Sequence, residues 1–236
     1  MKKISEDKIE GVIKELKLMN KLKHPKLIQV YGYYKDSENS ICIILELCDG
    51  GDLYQTMSNK VYKLTTKQKY QILIDIASGL QIFHSSDIPI VHRDIKPDNV
   101  LLSNPIESED SNFNAKLADY GESCYMNTVW NLENVEDSFD CYDTYNGTIE
   151  YAPPEILSGD LRKLSVKADV YSFGTVMWEI FAEERPYIHT KMKRIDLSLK
   201  IIDENMTPGI EKLPKDTPDE IRSLIKRCWD EVPDNR

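Results

Sequence analysis

The sequence predicts an α+β fold in two parts, a small lobe of one helix with short antiparallel strands and a mainly helical large lobe. Two observations predict it. Short segments rich in Ile, Val and Tyr lie within the first 47 residues, whereas most later apolar residues recur at helical spacing. We therefore place the small lobe at residues 1–47 and the large lobe at residues 48–236.

The small lobe is predicted to begin with a helix over residues 8–23, where apolar side chains at helical spacing alternate with Lys and Glu until Pro25. Residues 27–34 and 40–47 are predicted strands. Five polar residues separate them, which favours a hairpin. Asp52 follows in a turn and is placed to cap a short helix after it.

The large lobe contains three predicted helices, at residues 66–84, 166–182 and 217–229. The second is apolar nearly all round, which indicates a helix buried in the core. Residues 90–91 and 100–102 are predicted as short strands. Two polar stretches, 104–114 and 122–146, are predicted loops, and the second is long.

The chain is acidic, with a formal net charge of −10, which disfavours a general nucleic-acid-binding role. The acidic residues are unevenly distributed along the chain. Residues 107–143 contain ten Asp and Glu but one Lys and no Arg. The first 26 residues instead contain eight Lys against four acids. We interpret both regions as solvated surface.

No apolar run approaches 18 residues, and the first residues lack the apolar stretch of a signal peptide. The five cysteines are odd in number and show no C-x-x-C spacing, which disfavours a disulfide framework or zinc site. We expect reduced thiols and a cytoplasmic location.

Two motifs carry the chemistry. Residues 92–99 (HRDIKPDN) and 119–121 (DYG) together resemble the catalytic loop and the metal-binding triplet of the eukaryotic protein kinases. Three further blocks agree with this resemblance in order and spacing: residues 147–155 (GTIEYAPPE), 169–174 (DVYSFG) and 228–236 (CWDEVPDNR). The resemblance covers nearly the whole chain and implies the two-lobe kinase fold, with an incomplete small lobe.

The resemblance also assigns roles to single residues. It implies that Asp94 orients the acceptor hydroxyl or takes its proton, and that Asn99 and Asp119 bind Mg²⁺ on ATP. Lys96 stands where serine/threonine kinases contact the transferred phosphate. The implied cofactors are therefore ATP and Mg²⁺, and the implied partner is a protein with a Ser or Thr acceptor.

In the small lobe, Glu15 lies nine residues before His24 and matches the helix Glu that pairs with a strand Lys in active kinases. The resemblance places the adenine-binding hinge at residues 46–48, with Glu46 and Cys48 using their backbone groups. Leu101 would form the floor beneath the adenine.

The resemblance makes three further residues structural. Asp169 is expected to brace the catalytic loop, and Glu155 is expected to form a buried ion pair with Arg236. Tyr120 replaces the Phe that is usual in the metal-binding triplet. Its hydroxyl needs a hydrogen-bond partner when it is buried.

The pattern departs from the family at its start. No G-x-G-x-x-G precedes Glu15, and no clear V-A-I-K lysine is present. Residues 2–4 (KKI) fit either the remnant of that strand or a disordered basic terminus, and we favour the terminus. We expect this chain alone to bind ATP–Mg²⁺ weakly and to transfer phosphate slowly.

Regulation is predicted in the segment between Asp119 and Glu155. Thr144 lies 11 residues before Glu155, a usual spacing for the phosphorylated residue, and Arg93 precedes the catalytic Asp. An upstream kinase acting on Thr144 is the implied partner. Thr148 is instead expected near Asp94, where its hydroxyl positions the substrate.

Three hypotheses follow. The chain is a protein serine/threonine kinase that transfers the γ-phosphate of ATP, or a catalytically weak or inactive kinase-like module that binds partners. It is alternatively a fragment of a longer kinase. The four intact residues Asp94, Lys96, Asn99 and Asp119 favour the enzyme, whereas the missing glycine-rich loop favours the module.

Overall fold

The chain forms two compact units that are both discontinuous in sequence. The first unit contains Met1–Phe83 and Asp98–Ser123, and the second contains His84–Pro97 and Cys124–Arg236. The lobe boundary after residue 47 divides the chain differently and stays a prediction. The computed structural model describes the following residues: 2–4, 9–35, 41–59, 61–126, 145, 147–159 and 164–236.

The first unit contains an antiparallel sheet of three strands in the order β1-β3-β2, namely β1 (Lys2–Ile4), β2 (Val30–Lys35) and β3 (Ile41–Leu45). The pairing of β2 with β3 confirms the predicted hairpin. β1 pairs with β3 with Lys3 opposite Cys42. The favoured interpretation of a disordered terminus is therefore wrong, because the free edge of β3 offers backbone hydrogen bonds to the first residues.

Helices of the first unit follow the predicted bounds closely. Helix α1 (Ile9–Lys21) buries Leu16 against the inner face of β3. Helix α2 (Leu53–Ser58) begins after Asp52, whose carboxylate accepts a hydrogen bond from the Gln55 N–H at 2.7 Å and confirms the predicted cap. Helix α3 spans Thr66–His84, the predicted residues.

A second pair of strands, β5 (Val100–Leu102) and β6 (Ala115–Leu117), lies in the same unit. The buried carboxylate of Asp75 on α3 ties this pair in place. It accepts the Ala115 N–H at 2.9 Å and lies 2.7 Å from the Lys26 ammonium. Residues 104–114 contain no helix or strand, which confirms the predicted loop.

The second unit is mainly helical. Strands β4 (Ile90–Val91) and β7 (Cys124–Tyr125) form an antiparallel pair. Four helices follow: α4 (Pro154–Leu157), α5 (Lys167–Ala182), α6 (Arg194–Glu204) and α7 (Asp219–Cys228). Helix α5 is buried nearly all round, as predicted, and α7 packs along it, where the Trp229 indole donates to the Thr175 hydroxyl at 3.0 Å.

Cysteine chemistry departs from the prediction at one position. Cys42, Cys48 and Cys228 are free thiols, whereas Cys124 is disulfide-bonded. The expectation that all thiols are reduced is wrong here, because spacing along the chain does not report proximity in space. Within the described residues, no helix combines the length and apolarity that a membrane crossing requires.

Candidate active site

The start of the HRDIKPDN motif is fixed by one buried carboxylate in the second unit. Asp169, in the first turn of α5, accepts hydrogen bonds from the backbone N–H of His92 at 2.8 Å and of Arg93 at 2.9 Å. The His84 imidazole lies 2.9 Å from the same carboxylate. Arg93 has a φ of 70°, a conformation that L residues rarely adopt. Asp169 therefore braces the loop, as expected.

The next residues form a compact polar cluster. The Asp94 carboxylate lies 2.6 Å from the Lys96 ammonium and accepts a hydrogen bond from the Thr148 hydroxyl at 3.1 Å. Lys96 also donates to that hydroxyl at 2.8 Å. The expectation that Thr148 lies near Asp94 is confirmed. A carboxylate, an ammonium and a hydroxyl in mutual contact combine a proton acceptor with a cation that an anionic group requires.

The segment after Thr148 is anchored by the expected ion pair. The Arg236 guanidinium binds the Glu155 carboxylate in bidentate fashion, at 2.5 and 3.1 Å, and both side chains are buried. Arg236 also lies 5.1 Å above the Tyr171 ring. A bidentate pair of this kind fixes direction as well as distance. It therefore holds α4 to the end of the chain.

A second buried network in this unit was missed by the sequence analysis. The Tyr151 hydroxyl donates to the Glu179 carboxylate at 2.5 Å and accepts from the Arg185 guanidinium at 2.7 Å. Burial, reinforced by the Glu179 charge, raises the pKa of Tyr151. The available signal was an acid inside the apolar run of α5, because a buried Glu requires a partner.

In the first unit, Asn99 and Asp119 flank the β5–β6 pair. The Asn99 carbonyl accepts the Ala118 N–H at 2.9 Å, so the two predicted metal ligands are brought to the same end of this strand pair. Asp119 is exposed and has a φ of 59°, while Asn99 is buried. Their amide and carboxylate oxygens are the hard ligands that Mg²⁺ prefers.

These two side chains fit Mg²⁺ bound on a nucleotide rather than a cage of protein ligands. Mg²⁺ typically takes one or two carboxylates and completes its shell with phosphates and water. The donor set therefore suits a metal ion that arrives with its phosphates.

Tyr120 is buried beside Asp119, and its hydroxyl has the partner that burial requires. It donates to the Leu117 carbonyl at 3.3 Å, and its ring meets Phe83 edge to face with centroids 5.1 Å apart. Burial raises the pKa of Tyr120, and the nearby carboxylates of Glu15 and Glu46 raise it further. The buried Glu15 of α1 therefore lies within electrostatic range of this ring.

The predicted hinge contains an ion pair that the sequence analysis did not foresee. The Glu46 carboxylate lies 2.7 Å from the Lys116 ammonium, while its backbone N–H donates to the Gln29 carbonyl at 2.8 Å. Burial and the Glu46 charge raise the pKa of the Cys48 thiol. Within the described residues, the Cys48 N–H and the Glu46 carbonyl make no hydrogen bond. Leu101 pairs with Lys116 across β5 and β6.

These features are those of a protein kinase, and comparison with known proteins shows the same family. The protein kinase domain model matches residues 1–236, and the chain belongs to that family. It is similar over 96% of its length, with 34% identity, to a protein of Acanthamoeba polyphaga mimivirus that is named as a serine/threonine-protein kinase/receptor.

Two cellular relatives are also named as protein kinases. The chain is 31% identical to the stress-activated protein kinase alpha of Dictyostelium discoideum, over 100% of this chain and 35% of that protein. It is 28% identical over 96% of its length to human receptor-interacting serine/threonine-protein kinase 1, of which it covers 32%. The mimivirus protein is covered over 12% of its length. This chain is thus a protein kinase domain, and it spans about a third or less of the length of these relatives.

Proposed function

We propose that this domain transfers the γ-phosphate of ATP to Ser or Thr hydroxyls of protein substrates, with Asp94 and Lys96 as its catalytic residues. The observation that carries the proposal is the contact of the Asp94 carboxylate with both Lys96 and Thr148. A catalytically inactive site has no physical need for a buried carboxylate that contacts both an ammonium and a hydroxyl.

In the proposed reaction, the acceptor hydroxyl binds at Asp94, next to the Thr148 hydroxyl that positions it. Its oxygen bonds to the γ-phosphorus as the bond to ADP breaks, and its proton passes to Asp94. Lys96, 2.6 Å from that carboxylate, stabilises the negative charge on the transferred group. The Asp169 hydrogen bonds keep the backbone before Asp94 from relaxing.

Asn99 and Asp119 would hold Mg²⁺, which neutralises phosphate charge when it is bound with ATP. The Cys48 N–H and the Glu46 carbonyl supply one donor and one acceptor, the pair that the edge of adenine requires. Leu101 supplies an apolar contact for the base. Glu15, buried in α1, would anchor a lysine of the neighbouring sheet.

We extend the proposal to regulation by phosphorylation at Thr144, which lies outside the described residues. Its support is Arg93, a buried guanidinium whose Nε makes no hydrogen bond within the described part of the chain. Arg93 lies 5.9 Å above the ring of Tyr145, the residue after Thr144. A buried cation of this kind is stabilised by a phosphate. An upstream kinase would act on Thr144. We also place the protein in the cytoplasm, where ATP is supplied.

The test is a phosphotransfer assay with labelled ATP, Mg²⁺ and a generic acceptor such as casein. Asp94→Asn should lower the rate by about 10²–10⁴ because the proton acceptor is lost. Asp219→Asn, at an exposed acid in α7, is the matched control and should retain the rate. Equal rates for Asp94→Asn and the unaltered chain would refute the proposal in favour of a binding module.

A further inference from the structure

An exposed surface on the second unit combines unpaired cations with apolar side chains. It is formed by the turn before α6 and the outer face of that helix, residues 188–199, and is termed here the α6 surface. Three of its apolar side chains are largely exposed, Ile188 at 58%, Ile195 at 73% and Leu199 at 50%. Ile195 and Leu199 are four residues apart on one helix and therefore lie on the same face.

The inner face of α6 already has its core contacts. Leu197 and Ile201 are buried and cluster with Tyr187, and partly buried neighbours cover them. Ile195 and Leu199 point away from this cluster, since they lie on the opposite side of the helix. Their exposure is therefore not required by the packing of the domain. Adjacent exposed apolar side chains of this kind are typical of interaction sites.

The charge of the α6 surface is opposite to that of the chain. Residues 188–199 contain three cations, Lys191, Lys193 and Arg194, and one acid, Asp196, in a protein of net charge −10. All three cations are exposed, and within the described residues none of them forms an ion pair. They stand at the N-terminal end of α6, where the helix dipole already favours negative charge. An acidic partner would neutralise these unpaired cations and would also interact favourably with the N-terminal end of the helix dipole.

The chain itself contains a segment with the complementary composition. Residues 131–143 (NLENVEDSFDCYD) hold five acids and no Lys or Arg, interspersed with Leu, Val, Phe and Tyr. Acids separated by apolar residues match a surface in which cations are separated by apolar residues. We propose that the α6 surface of one copy binds residues 131–143 of a second copy. This interface does not depend on phosphoryl transfer. It would bring Thr144, which directly follows residues 131–143, to another molecule of the kinase.

The test is the binding of a fluorescent peptide, residues 131–143 with Ser in place of Cys141, to the full chain at low salt. A triple variant, Lys191→Glu, Lys193→Glu and Arg194→Glu, should weaken binding about tenfold or more, because attraction becomes repulsion. The matched control reverses three exposed lysines elsewhere in the second unit, Lys212, Lys215 and Lys226. It makes the same change in net charge and should alter binding less than about twofold.

Two further measurements separate a specific interface from general attraction. The double variant Ile195→Ser and Leu199→Ser keeps every charge and should weaken binding about fivefold, and a peptide with its acids replaced by amides should lose about tenfold. Sedimentation should show weak self-association of the full chain that the triple variant abolishes. The proposal is overturned if the control variant weakens binding as much as the triple variant does, or if the amide peptide binds equally well. Circular dichroism of each variant confirms that it is folded.

Discussion

Asp169 offers the sharpest test of how the fold positions the catalytic loop. Asp169→Ala removes the acceptor of two backbone N–H groups, those of His92 and Arg93, at 2.8 and 2.9 Å. Each buried donor left without a partner costs about 1–3 kcal/mol, so the free energy of unfolding should fall by about 2–6 kcal/mol. The Arg93 backbone, with its φ of 70°, would then relax and displace Asp94.

The assay combines urea unfolding with steady-state kinetics. Because Asp169 contacts the loop and does not contact the reacting atoms, its loss should lower kcat about 10²-fold or more through misplacement of Asp94. Asp169→Asn keeps one acceptor oxygen. Its free energy of unfolding and its kcat should therefore lie between those of the unaltered protein and of Asp169→Ala. Asp196→Asn, at an exposed position in α6, is the control. An Asp169→Ala protein that keeps both its stability within about 0.5 kcal/mol and its kcat would show that Asp169 does not position the catalytic loop.

Three further predictions concern stability and regulation. Arg236→Ala should lower the free energy of unfolding by about 3–5 kcal/mol, because it leaves the Glu155 carboxylate buried and unpaired, and calorimetry checks this against Arg227→Ala. Stability should fall as pH rises from 9 towards 11, because burial raises the pKa of Cys228 from 9.0 to about 11 and that of several tyrosines, and unfolding lets these groups ionise. The free energy of unfolding should fall by up to about 1.4 kcal/mol per pH unit for each such group. Urea unfolding measured between pH 9 and 11 would contradict this if the free energy of unfolding did not change with pH. Thr144→Ala should prevent activation by an upstream kinase, whereas Thr190→Ala should not. A kinase activated equally with Thr144→Ala would exclude that site.

The long helices were predictable because their apolar residues follow one period and bury one face. Helix α3 matched its predicted bounds, Thr66–His84, and α5 began one residue later than predicted. Helix α6 was missed. Its exposed Ile195 and Leu199 lie opposite the buried Leu197 and Ile201, so the apolar residues do not trace a single face. Strand β1 was misjudged because three residues carry no period, and its pairing with β3 decides its structure.

In the site, sequence motifs indicated the residues but not the contacts that orient them. The pairing of Glu155 with Arg236 and the role of Asp169 were expected and are confirmed. The Tyr151 network and the ion pair between Lys116 and Glu46 were not foreseen, since each joins residues far apart in the chain. Lone charges inside apolar runs were the available signal, and a search for them would have found Lys116.

The central claim is that Asp94 directs phosphate to serine and threonine hydroxyls. The most direct measurement is phosphoamino-acid analysis of a protein acceptor after incubation with labelled ATP and Mg²⁺, with Asp94→Asn run alongside. We expect phosphoserine and phosphothreonine, with both signals lost in the Asp94→Asn protein. Label on tyrosine alone, or undiminished label with Asp94→Asn, would contradict it.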